Sequence, residues 1–250
     1  RHDTLKWRIV EHAREMHVRL RHEVFGMFAA GLPQAARANP SLMPVRKRQG
    51  IVPDYLVHTP VDGPERPLLY ELKTLHYGPS TYPESAARCH AVGHRAMALP
   101  TEYANKARRA DRTFCNTPVG SIGPTEQKLL TFEPVRGLVF GAWGEASPEV
   151  SKLLNAMARA GARRHWRGMR CREASTATGV LAWMLRRRWG LTALRENARL
   201  KLDRLEYVGR GATVAARRRA EAWADYEARL RVVAGCASRG SGSRVARGVA

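Results

Sequence analysis

The chain has 250 residues, with 43 Lys+Arg against 22 Asp+Glu and a formal net charge of +21. A hydrophobic content of 44% is ordinary for a globular protein and excludes a wholly disordered chain, and four cysteines in this length exclude a disulfide-stapled miniprotein. The positive excess excludes an acidic solvating tail and asks for an anionic partner, nucleic acid ahead of an anionic membrane surface.

The charge is uneven. Residues 1–150 hold 20 basic and 15 acidic side chains, and residues 151–250 hold 23 and 7. Arginine supplies 36 of the basic residues and lysine 7. The guanidinium fork pairs bidentately with phosphate, which suits nucleic-acid contact, although a GC-rich coding sequence also favours Arg.

In chain order, Ile9, Ala13, Met16, Leu20, Val24 and Phe28 recur at helical steps and predict a helix over residues 5–30. A basic loop follows, ending in Arg46, Lys47 and Arg48. Val52–Thr59 and Leu68–Leu75 read as two strands of a hairpin around the turn cluster Pro60-Val61-Asp62-Gly63-Pro64. A helix is expected over about 84–111, interrupted or kinked near Pro100, and then a loop over 113–125. Arg136–Trp143 reads as a strand, and Ser147 before Pro148 as the capped start of a helix. Everything beyond residue 150 reads as helix. One apolar stripe runs through Leu191, Leu194, Ala198, Leu202, Leu205 and Val208, and a last helix is expected over about 212–234. Residues 235–250 have the composition of a disordered tail. The domains expected are 1–150, a basic helical extension over 151–234, and that tail. A chain ending at residue 150 is expected to keep its core.

No apolar run approaches the ~20 residues that cross a bilayer, so no membrane partner is expected. Cys89, Cys115, Cys171 and Cys236 form no Cys-x-x-Cys pair, and there is no phosphate-binding glycine loop or internal repeat. The sequence begins Arg1-His2-Asp3-Thr4 without a Met and reads as part of a longer polypeptide.

The hairpin carries the strongest chemical signal. Its first strand opens Val52-Pro53-Asp54, and its second contains Glu71-Leu72-Lys73. Alternation puts Glu71 and Lys73 on one face and Leu72 on the other. In a suitable register Asp54 falls beside Glu71, so that two carboxylates meet near one ammonium. Oxygen donors of this kind suit Mg²⁺ or Mn²⁺, with a backbone carbonyl such as that of Leu72 nearby. Lys73 is then placed to orient a water or offset developing negative charge. The plain alternative is a surface hairpin with a solvated Glu71–Lys73 pair.

These residues resemble the Pro-Asp…(Asp/Glu)-x-Lys pattern of the PD-(D/E)xK, or restriction-endonuclease-like, nuclease superfamily. The resemblance covers roughly residues 5–150. It implies an α/β fold with an αβββαβ core, followed here by the basic all-helical extension. It also implies metal-dependent hydrolysis of nucleic-acid phosphodiesters, DNA favoured over RNA, with Mg²⁺ or Mn²⁺ as cofactor. Asp54, Glu71 and the Leu72 carbonyl then become metal ligands and Lys73 the catalytic lysine. The family often adds a carboxylate from the first helix, for which Glu23 is the first choice and Glu15 the second. It also often places basic groups on the helix after the hairpin, where Tyr103, Lys106 and Arg109 recur at three-residue steps and Lys106 is the choice. Relatives include restriction, repair and mobile-element proteins, which implies an intracellular, nuclear or nucleic-acid-associated setting.

Other signals are weaker. Glu145 is read as an acid ahead of a helix N-terminus rather than a ligand. His90 and His94 have the spacing of two metal ligands but lack the zinc-protease pattern. His12, His17 and His22 share no helical face and read as surface residues. Arg163, Arg164 and Arg167 around Trp166, and Arg186, Arg187 and Arg188 before Trp189, are candidate phosphate contacts. Trp183 reads as a buried packing residue. Two other readings stand beside the nuclease: a non-catalytic nucleic-acid-binding protein with a degenerate core, and a basic structural protein of a ribonucleoprotein. Convergence of Asp54, Glu71 and Lys73 separates the first reading from the others.

Overall fold

The computed structural model describes residues 2–23, 26–28, 34, 51–58, 66–75, 88–208 and 223, with 204–208 described as helical backbone alone. Arg46, Lys47, Arg48, the expected helix over 212–234 and the expected tail lie outside the described residues, apart from Trp223. The chain divides into two compact units, Arg1–Asn197 and Ala198–Ala250.

The fold is mixed α/β, with a four-stranded mixed sheet and five helices among the described residues. The elements are α1 (His2–Glu15), β1 (Arg19–His22), β2 (Tyr55–His58), β3 (Pro67–Thr74), α2 (Arg88–Cys115), α3 (Pro124–Leu130), β4 (Arg136–Phe140), α4 (Pro148–His165) and α5 (Ala174–Val208). The sheet order is β1-β2-β3-β4. The first two pairings are antiparallel and β3–β4 is parallel, so the link through α2 and α3 is a crossover. No helix among the described residues is long and apolar enough to cross a membrane.

The helix expected over 5–30 stops at Glu15. The Val18 amide donates to the Ala13 carbonyl at 2.8 Å and the His17 amide to Arg14 at 3.0 Å, while His17 takes a φ of 54°. That is a Schellman closure with histidine in the left-handed position usually held by Gly. The 16-to-20 continuation of the apolar step misleads because Leu20 belongs to a strand. β1 pairs Arg19 with His58 and His22 with Tyr55. Among the described residues no strand pairs with its other edge, and β1 carries Arg19, Arg21 and His22, charged or polar groups that discourage edge-to-edge association.

Strand alternation sorts the core into two faces. Tyr55, Val57, Leu68, Tyr70, Leu72, Leu138 and Phe140 pack with α1, α4 and α5. Leu56, Leu69 and Val139 face the other way, with Tyr103, Leu99 and Val92 of α2 packed in the clusters there. The sheet is therefore a middle layer, and β3 is apolar on both sides except where Glu71 and Lys73 interrupt it.

The expected start of α2 near 84 lies outside the described residues, and the helix continues through Pro100 to Cys115. The loop expected over 113–125 gives way to α3, whose first amides are capped from another helix. Buried Asp111 accepts from the Thr125 and Glu126 amides, both at 2.9 Å. α4 starts at Pro148 as expected, but Ser147 makes no side-chain cap. Its buried hydroxyl donates to the Gly137 carbonyl at 2.6 Å and accepts from the Val139 amide at 3.1 Å, tying the helix start to β4.

The boundary expected at residue 150 falls inside the first unit. Val150, Leu153, Leu154, Met157 and Ala158 of α4, with Leu181, Leu185 and Trp189 of α5, share one core with α1 and the sheet. The apolar faces of these helices are buried, while their arginines occupy the other side. Along α5 the buried positions are Ala177, Leu181, Leu185, Trp189, Ala193 and Asn197, a four-residue step. Trp183 lies off that step and is 61% exposed, and Leu191, Ala198 and Leu202 of the expected stripe are exposed as well.

Candidate active site

The register of β2 and β3 creates the site. Tyr55 pairs with Tyr70, which sets the preceding Asp54 next to Glu71. Asp54 is held at the start of β2 by two backbone bonds. Its carbonyl accepts from the Glu23 amide at 2.9 Å, and its carboxylate Oδ2 accepts from the Leu72 amide at 2.9 Å.

Glu71 is also fixed. Its Oε1 accepts from the Lys73 ammonium, and its Oε2 accepts from the Tyr103 hydroxyl at 2.6 Å. The Lys73 side chain is 32% exposed while that of Glu71 is 8% exposed, so the ammonium is the solvent-facing member of the pair. Tyr103 is buried, and burial pushes its hydroxyl well above the ordinary tyrosine value, with the charge of Glu71 next and that of Asp54 adding to it. Tyr103 is therefore a neutral donor to the carboxylate. Tyr55 is raised well above its ordinary value in the same way, first by burial and then by Asp54, Glu71 and Glu23. All three carboxylates thus act on one buried region.

Glu23 reaches this region from an unexpected element. It lies just after β1, at φ 47°, and its carboxylate accepts from the Lys6 ammonium. Lys6, on α1, is 2% exposed, and its Nζ also stands 3.3 Å from Asp54 Oδ1. Tyr55 donates its hydroxyl to the Lys6 carbonyl at 3.2 Å. His2 closes the other side. Its Nε2 lies 3.0 Å from the Leu72 carbonyl and 3.3 Å from Asp54 Oδ2, two acceptors that require a hydrogen on that nitrogen.

Asp54 and Glu71 thus stand at adjacent register positions, Lys73 pairs with Glu71, and Lys6 links Asp54 to Glu23. The Leu72 carbonyl, expected as a metal ligand, faces His2 instead. Lys106 is exposed, with its ammonium 4.8 Å from the centre of the Tyr103 ring, and the inward residue of that helical face is Tyr103. Glu15 lies apart, 4.0 Å from Arg188. Glu145 accepts from the Trp143 amide at 3.0 Å, a local turn contact. His90 and His94 stack with ring centres 6.3 Å apart.

Lys6 and His2 are site neighbours that the sequence does not single out. The signal for Lys6 is a lysine in helical step with Val10 and Ala13, on a face that otherwise buries apolar groups. His12 is not a surface residue. It is buried and accepts from the Trp189 indole at 2.9 Å.

Asp54, Glu71 and Glu23 offer the hard oxygen chemistry that Mg²⁺ or Mn²⁺ takes, and in donor type they fit such an ion. As the side chains lie, no group of three His, Cys, Asp or Glu among the described residues is arranged to hold a metal. Four protein groups, Lys6, Lys73, Tyr103 and the Leu72 amide, occupy carboxylate oxygens instead.

The basic helices present their candidate contacts outward. Arg163, Arg164, Arg167, Arg186, Arg187 and Arg188 are all exposed. Arg167 lies 5.1 Å from the Trp166 ring centre, and Arg187 lies 5.4 Å from that of exposed Trp183. No protein-family model matches the chain, and neither a curated protein nor a solved structure matches it.

Proposed function

We propose that the chain is a metal-dependent nuclease of the PD-(D/E)xK type, acting on nucleic-acid phosphodiesters with DNA favoured. The observation that carries this reading is the register of the β2–β3 pair, which sets Asp54 beside Glu71, with Lys73 paired to Glu71. Among the described residues the element order α1-β1-β2-β3-α2-β4, with the short α3 between α2 and β4, supports an αβββαβ core. The parallel β3–β4 pairing fits the same reading.

In this reading Asp54 and Glu71 hold the cation, with Glu23 at its margin. A divalent ion, when bound, supplies positive charge against the phosphoryl oxygens. Lys73 presents its ammonium to the attacking water or to the charge that develops on the phosphate. Tyr103 and the Leu72 amide keep the two carboxylates aimed, and the exposed arginines of α4 and α5 hold the nucleic-acid backbone.

One observation favours a second reading, a non-catalytic nucleic-acid binder. The carboxylates already have protein donors, and a satisfied ion-pair network needs no metal. The test is incubation of the full chain with duplex DNA, single-stranded DNA and RNA in Mg²⁺ or Mn²⁺. Metal-dependent strand scission that disappears with EDTA supports the nuclease. Binding without scission across all of these substrates supports the binder.

A further inference from the structure

We propose that Lys6 is a built-in counter-cation of the Asp54–Glu23 pair and competes with the divalent ion for Asp54. This rests on the reading that Asp54 and Glu71 hold that ion.

The observations come from three elements. A buried ammonium is costly unless it is paired, and Lys6 is paired with Glu23 and with Asp54 at 3.3 Å. It thus stands where a cation bridging the two carboxylates would stand. Asp54 Oδ2 is already committed to the Leu72 amide at 2.9 Å and to His2 at 3.3 Å. Lys6 faces the other oxygen, Oδ1, at 3.3 Å. The lysine is not placed there by chance rotamer alone. Its backbone carbonyl is anchored by the Tyr55 hydroxyl, next in sequence to Asp54, and α1 is further tied to β3 by His2.

The charges make the competition unequal in a definite direction. Lys6 is held between Glu23 and Asp54 Oδ1, and its side chain is 2% exposed. A second cation beside Lys6 meets repulsion at short range in a poorly solvated site. The ion is therefore taken up as Lys6 withdraws from Asp54, and Lys6 sets the metal affinity. Lys6 acts through Asp54 and is a positioning residue rather than a catalytic one.

The experiment measures Mn²⁺ binding to the full chain, by calorimetry and by the spin resonance of free Mn²⁺, for wild type, Lys6→Met and Asp54→Asn. Lys6→Met is expected to bind at least about tenfold tighter than wild type, as removal of a nearby like charge requires, and Asp54→Asn to lose binding. Amine labelling of wild type supplies a readout that does not depend on a variant's folding. Lys6 is expected to be protected without metal and to become reactive as Mn²⁺ saturates. Equal affinities in wild type and Lys6→Met, with binding lost in Asp54→Asn, overturn the competition and leave the metal site standing. Lys6 labelling that Mn²⁺ does not change overturns it as well. Absence of Mn²⁺ binding from wild type and Lys6→Met alike overturns both this proposal and the metal-site reading.

Discussion

The indole N–H of Trp189 donates to Nδ1 of His12 at 2.9 Å, joining two residues 177 positions apart. The bond fixes the tautomer. Nδ1 accepts, so the neutral ring carries its hydrogen on Nε2, and the Arg188 guanidinium 3.3 Å from that nitrogen is a neighbour rather than a donor to it. It also binds α5 to α1 on the face of the sheet that the core fills.

Burial lowers the His12 pKa below its ordinary 6.5, Arg188 and Arg8 push the same way, and Glu15 and Glu11 oppose them. The unfolded imidazole then takes a proton that the folded one refuses. This contribution to stability is fully present above about pH 6.5 and is lost as pH falls from there through the lowered folded value. Thermal melts of wild type are expected to show Tm falling across that window. His12→Asn keeps an acceptor and cannot take the proton, so it is expected to flatten that part of the profile.

Tyr103→Phe removes the hydroxyl that donates to Glu71 at 2.6 Å and leaves a buried carboxylate oxygen short of a donor. The expected cost is about 1–3 kcal/mol in urea unfolding, the scale for a buried hydrogen bond to a charged group. A neutral result would mean that another donor or water reaches Glu71.

Gly137→Ala tests the seat of α2 on β4. A Cβ at Gly137 would lie 2.8 Å from the Ala96 backbone and 2.7 Å from Leu99 Cδ1. Side-chain rotation cannot relieve the backbone approach, so α2 must shift. Destabilisation of about 1–3 kcal/mol is expected from overpacking, measured by chemical denaturation.

The exposed arginines at the end of α4 and in the turn after it test the nucleic-acid reading. Truncation after residue 150 cannot do so, because it removes Leu153, Leu154, Met157 and Trp189 from the core. Replacing exposed Arg163, Arg164 and Arg167 with Gln leaves that core alone. On duplex DNA, every phosphate that goes unneutralised flattens the slope of log affinity against log salt by about 0.9. Fluorescence anisotropy over a salt series is expected to show a weaker, flatter response, and an unchanged slope would remove these arginines from the interface.

The legible parts of the fold are those governed by period. Glu71 and Lys73 sharing a face follows from strand alternation, and the start of α4 follows from Pro148. The end of α1 is not legible, because His17 adopts the left-handed closure without the glycine that normally marks it. Glu23 is legible as a neighbour of the site but reads as part of a helix, since Leu20 and Val24 continue the helical step across that closure. Lys6 and His12 are hidden for a common reason. A charged or polar side chain on an apolar stripe reads as a break in the pattern until its long-range partner, Asp54 or Trp189, is known. Trp183 and Trp189 are separated only by the four-residue step that α5 buries.

The central claim is that the Asp54, Glu71 and Lys73 cluster is catalytic. The most direct measurement is single-turnover cleavage of end-labelled DNA in Mg²⁺ or Mn²⁺ by wild type and by Lys73→Met, with both proteins shown to melt cooperatively. Lys73 is partly exposed, so its loss leaves the core packing in place. Metal-dependent product from wild type, with a rate lower by about 10²-fold or more in Lys73→Met, is the predicted result, on the scale of losing one preorganised charge-stabilising donor. Equal rates in the two proteins, or no product from folded wild type in either metal, would contradict the account.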